Sequence, residues 1–89
     1  MASAQAIANA IEARVKNTKV PKYADWRIGI TQNPKQRKKD WNDPQYWLLW
    51  KADSLEDAQA VEAHFIEKGM DGGTGGDLED NVTTYVYIF

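Results

Sequence analysis

A chain of 89 residues with no cysteine has neither a disulfide nor a thiolate-held zinc to brace it, so its fold rests on the burial of apolar side chains. At this length only about 60% of the unfolded surface can be buried, which allows one core and no second. A multi-domain enzyme, a full dinucleotide fold and a barrel of roughly 200 or more residues are therefore excluded, and any chemistry must come from a few residues on a small scaffold. The 43% apolar and 27% charged content suits a single domain spanning residues 1–89. The lack of cysteine also favours an intracellular address. No apolar run approaches the roughly 18 residues that span a bilayer, and the first ten residues lack the basic start and apolar centre of a signal peptide, so the chain reads as cytoplasmic with no membrane partner.

The apolar spacing predicts the elements. Ala4, Ile7, Ala8, Ile11 and Val15 recur at three- and four-residue steps behind Ser3, describing an additional N-terminal helix over residues 1–17. Trp26, Ile28 and Ile30 then alternate with Arg27, Gly29 and Thr31, a strand with one face in the core and the other available for chemistry. A glycine within a strand forgoes packing, so Gly29 marks the close approach of another group. Asn33-Pro34 opens a short basic helix carrying Lys35, Gln36, Arg37, Lys38 and Lys39, which Asp43-Pro44 ends. The run Tyr46 to Trp50 reads as a second strand covered on both faces. Ser54 caps a helix burying Leu55, Ala58, Val61 and Phe65, and Gly69 stops it.

Five of the six glycines fall between Gly69 and Gly76, a stretch that reads as a loop or wide turn. The last strand, Val82 to Phe89, is apolar or aromatic on both sides and is expected to be internal or covered. The expected fold class is α+β, with a small, mainly antiparallel three-stranded sheet packed with helices.

Charge is unevenly placed. Residues 14–39 hold nine of the eleven basic residues against one acid, whereas residues 40–89 hold eleven of the thirteen acids, for a net charge of -2. A basic segment is an electrostatic footprint for phosphate, but charge alone favours a solvated face balanced by the acidic half of the same fold. Gly72-Gly73-Thr74-Gly75-Gly76 is no phosphate loop, because no Gly-Lys-Ser/Thr follows. Asp71, Asp77, Glu79 and Asp80 lack the alternating spacing of a calcium loop and read as solvated acids. His64, the single histidine, has no partner for a metal and reads as structural.

An ordered set of residues carries more than any one motif. Ile28-Gly29-Ile30-Thr31 on a strand is followed by Asn33-Pro34-Lys35-Gln36-Arg37 at a helix start, then by a later helix with Ala58, Glu62, Ala63 and Ile66. From about Trp26 to Lys68, roughly half of the chain, this order resembles the GIY-YIG nuclease superfamily. The resemblance sets Ile28-Gly29 at the end of the second motif, Arg37 at the helical arginine and Glu62 at the metal-binding glutamate. Arg27 stands where the second motif has its tyrosine, and no Gly-Ile-Tyr strand precedes it. The C-terminal Tyr85-Val86-Tyr87 strand could take the place of that missing edge strand, bringing Tyr85 or Tyr87 near Arg27 and Gly29.

The resemblance implies a nucleic-acid-directed domain, weakly active or inactive as an endonuclease. Its catalytic positions would be Arg27, Arg37 and Glu62, with Mg2+ or Mn2+ held by Glu62 if it cleaves. An arginine neutralises charge growing on phosphate, and a carboxylate-held cation activates oxygen for phosphodiester displacement. Lys35, Arg37, Lys38 and Lys39 would contact backbone phosphates of nucleic acid, with DNA the expected partner, and Trp41, beside the basic helix, would stack on a base. The plain readings stand alongside: Arg37 on a solvated basic helix, Glu62 in a boundary salt bridge, Arg27 as partner to Glu62 or Asp25, and Trp26 and Trp50 as core. A non-enzymatic protein-interaction module with the same fold is the alternative, and a structural domain of a phage or mobile element is a third.

Overall fold

The computed structural model describes residues 3–17, 22–72, 78–79 and 82–89. Residues 73–76 of the glycine-rich stretch read as a loop, with Asp77 and Asp80, lie outside the described residues.

Helix α1 (Ala4–Lys16) begins where the Ser3 hydroxyl accepts from the Ala6 amide at 3.2 Å, and its buried residues are Ile7, Ile11 and Val15, four apart. A single 3-10 turn, Tyr23–Asp25, leads into strand β1 (Arg27–Thr31). Helix α2 (Pro34–Asp40) starts from Asn33, whose side chain accepts from the Gln36 amide, and it contains no buried residue. It stops at Asp40, three residues short of the expected Asp43-Pro44 end. There Asn42 and Asp43 turn the chain in the left-handed region (φ 61° and 50°), and the Asp43 amide closes the turn onto the Lys38 carbonyl at 2.9 Å. Asn and Asp are the side chains that tolerate this conformation best after glycine.

Strand β2 (Leu48–Lys51) precedes helix α3 (Leu55–Lys68), which is capped by the Ser54 hydroxyl on the Asp57 amide and ended by Gly69 at φ 118°. The positive φ is open to glycine without a Cβ penalty, and the Gly69 and Met70 amides take up the Ile66 and Phe65 carbonyls. Strands β3 (Asp71–Gly72) and β4 (Tyr85–Ile88) complete the sheet.

The strand order is β2-β4-β1-β3, with β4 antiparallel to both β1 and β2, and β3 parallel to β1. The expected three-stranded sheet is thus corrected to four strands of mixed direction. The added strand is two residues long at the edge of the glycine-rich stretch, too short and too poor in side chains to leave an alternating pattern. β4 is internal, as its two apolar sides require, although its regular pairing covers Tyr85–Ile88 and not the whole of Val82 to Phe89. It is the centre of the sheet and not the edge strand that the resemblance would replace. β2 is an edge strand with Leu49 exposed, which corrects the expectation that both its faces are covered.

Register assigns the two faces. Ile28 and Ile30 of β1 lie beside Ile88 and Val86 of β4, which lie beside Leu48 and Trp50 of β2. These residues join Ile7, Ile11, Val15, Ala58, Val61 and Phe65 in one apolar cluster, so α1 and α3 cover this face. Trp26 is buried in the same cluster and Trp50 packs against it from a half-buried position. Glu12 of α1 reaches His64 at 3.7 Å and Lys68 at 3.9 Å, an exposed tether between the helices. The His64 ring is set edge-on against Phe65. No described helix is long and apolar enough to cross a membrane.

Candidate nucleic-acid interface

The opposite face of the sheet is built in three rows. Thr31, Tyr85 and Lys51 form one, Gly29, Tyr87 and Leu49 the next, and Arg27 with Phe89 the third, where the backbones exchange hydrogen bonds at 2.9 and 3.1 Å. Alternation along each strand brings these side chains out on the side away from α1 and α3. Arg27 and Gly29 therefore share a face, as expected, and the group that approaches Gly29 is Tyr87.

A Cβ added to Gly29 would sit 2.3 Å from the Tyr87 hydroxyl oxygen and 2.4 Å from its Cζ, so the bare backbone is what seats the phenol. Trp41, delivered by the turn after α2, donates from Nε1 to the Tyr87 hydroxyl at 3.1 Å and packs its ring 5.5 Å from Phe89. Trp47, just before β2, stacks on Tyr87 with ring centres 4.4 Å apart and planes 15° apart, and on Phe89 at 5.7 Å. Such aromatic contacts contribute about 0.5–1.5 kcal/mol each beyond area burial.

Arg27 lies with its guanidinium carbon 4.4 Å from the Trp41 ring centre and pairs with Asp71, its register neighbour on β3. Its ion-pair partner is thus neither Glu62 nor Asp25, and Asp71 is not merely a solvated acid. The flat guanidinium suits both contacts at once. Trp41 is half-buried among Arg27, Tyr87 and Phe89, not freely exposed.

Lys35, Arg37, Lys38 and Lys39 sit on α2, with Lys35 and Lys39 exposed and Arg37 and Lys38 half-buried. Three of these cations occupy the last turn, where the helix dipole favours positive charge. Among the described residues, no ion pair involves any of the four.

Glu62 is half-buried on α3, beside Val61 on the helix that covers the other face. Its Oε2 is buried with no hydrogen-bond partner, and burial raises its carboxyl above the ordinary glutamate value. Among the described residues it forms no ion pair, so the boundary salt bridge is not formed. No hydrogen bond or ion pair joins Glu62 to Arg27 or Arg37. An orphaned buried carboxylate oxygen has the donor chemistry a divalent cation takes, and a magnesium ion bound through one carboxylate keeps its remaining positions for water and phosphate. Among the described residues, however, no group of three acidic or histidine side chains gathers around Glu62 to form a metal site.

Sequence reasoning missed Gln32, and it weighed Trp47 only as one of four tryptophans that could stack on bases or fill the core. Trp47 could have been found from its position one residue before a strand, on the parity of Leu49 and Lys51. Gln32 has no such signal: its side-chain amide donates to the Glu79 carbonyl at 2.7 Å and to Thr84 at 3.1 Å, and accepts from the Glu79 amide at 3.1 Å, tying a distant segment to the end of β1. No family model matches the chain, and neither a curated protein nor a solved structure is significantly similar to it.

Proposed function

We propose that this is a nucleic-acid-binding domain of GIY-YIG-like build, acting in the cytoplasm, that holds phosphate backbones, chiefly of DNA, and retains little or no nuclease activity. The observation that carries the reading is the seating of Tyr87 against Gly29 on the face that also carries Arg27. A tyrosine from the C-terminal strand stands beside the second-motif glycine, where the resemblance calls for one from a strand that the N-terminal half lacks. The cations of α2 follow β1 directly, with Arg37 at the helical-arginine position and Lys35, Lys38 and Lys39 around it.

Weak catalysis follows from the groups themselves. Arg27 puts a guanidinium that carries no proton to or from water where the motif has a phenol, which weakens activation of water, and its charge is already paired with Asp71. The resemblance would give a divalent cation to Glu62, but α3 carries that residue on the side of the sheet away from Arg27 and Tyr87, a further reason for weak catalysis.

Binding of a short duplex, followed by fluorescence anisotropy across a salt series, tests the reading. Affinity should fall steeply with salt, and Arg37→Ala or Lys38→Ala should each weaken it and shallow the salt slope by about one. Absence of binding at low salt with duplex, single-stranded and branched DNA would reject it in favour of a protein-interaction module.

A further inference from the structure

No helix packs over the sheet face opposite α1 and α3, since α2 has no buried residue; Thr31, Gly29 and Tyr87 are buried on it, but around them it is aromatic where an open face is ordinarily polar. Trp47 and Phe89 are half-buried, with planes 24° apart, and Tyr85 lies half-buried two rows along. Leu49, between them, is 39% exposed, and Tyr46, next to Trp47, is 63% exposed. Cations border this surface: Lys51 in the row of Tyr85 and the lysines of α2 beyond Trp41, while Arg27 in the row of Phe89 is paired with Asp71.

We propose that this face binds single-stranded nucleic acid by stacking unpaired bases on Trp47, Phe89 and Tyr85, while Lys51 and the lysines of α2 hold the backbone. The inference rests on the nucleic-acid reading above and adds the form of the ligand. Charge complementarity selects the occupant: aromatic rings accept the π-face of any base, and flanking cations accept the phosphates between them. A duplex hides its base faces and would meet only the cations.

The test compares the full chain binding an oligothymidylate of about 15 nucleotides with a duplex of the same length at one salt concentration. The single strand should bind about tenfold more tightly and quench tryptophan fluorescence. Trp47→Ala should lose most of that preference. Leu49→Glu, at an exposed position that contributes nothing to the core, should do the same by placing a carboxylate among the bases. Equal affinity for the two forms, or Leu49→Glu without effect on the single strand, would overturn the inference while leaving phosphate binding intact. Failure of both ligands to bind would remove the nucleic-acid reading itself. A free chain that sediments as a dimer, and as a monomer after Leu49→Glu, would assign the face to a second copy and overturn the inference as well.

Discussion

Tyr87 stands over Gly29, its hydroxyl oxygen only 2.3 Å from where a Cβ would be and its ring held from the far side by Trp47 and from the edge by Trp41. The pair couples the centre of the sheet to the aromatic surface, because Gly29 and Tyr87 are register partners on adjacent antiparallel strands.

Gly29→Ala should therefore displace the phenol and destabilise the domain by about 1–3 kcal/mol, the range for overpacking a fitted site. The clash involves Cζ as well as the hydroxyl, so Tyr87→Phe should not relieve it, whereas Tyr87→Ala should make Gly29→Ala nearly free of further cost. Urea unfolding of the two single variants and the double variant measures the coupling. Additive costs would show that the two residues do not meet.

Glu62 should make stability fall as pH rises. Burial raises its carboxyl in the folded chain, so its contribution is fully present below the unfolded glutamate range and is lost as pH climbs through the folded value. Glu62→Gln removes the ionisation. At pH 7 the variant should melt above the natural chain, with the gap closing as pH falls toward about 4, the unfolded glutamate range. If residual magnesium-dependent cleavage exists, the same substitution should abolish it, since a carboxylate kept buried without a partner is a cost that function can justify. A gap in melting temperature that is constant across pH would contradict the electrostatic origin.

The left-handed turn at Asn42 and Asp43 sets where Trp41 leaves α2. Asn42→Val should cost about 1–2 kcal/mol, because a β-branched residue is strained at φ 61°, while Asn42→Gly should stay within about 0.5 kcal/mol of the natural chain. Thermal or urea unfolding separates them. Equal costs would point to a side-chain role for Asn42 in place of a backbone one.

The helices were legible in the sequence because their signals are local. Ser3, Asn33 and Ser54 each accept from an amide three residues on, and Gly69 carries the positive φ that ends α3. β1 was legible from its alternation, down to the close approach at Gly29. What escaped were properties of pairing. Asp71–Gly72 gains its strand character from lying parallel to Arg27 and Ile28, over 40 positions earlier in the chain, and nothing near Gly72 announces this. The edge position of β2 was hidden for a similar reason: Trp47, Leu48, Leu49 and Trp50 look alike as apolar residues, and only the register with β4 sends Leu48 and Trp50 to the core and Leu49 to the open face. Four tryptophans suggested bulk for a small core. Trp26 and Trp50 serve it, but Trp41 and Trp47 lie on the other side of the sheet.

The most direct measurement is a titration of the isotopically labelled chain with an oligothymidylate at low salt, read as NMR shift changes. The account predicts that the indole signals of Trp41 and Trp47 and the amides of α2, β2 and β4 move together, saturably, and return as salt is added. Shift changes confined to α1 and α3, or none at any ratio of oligonucleotide, would contradict it.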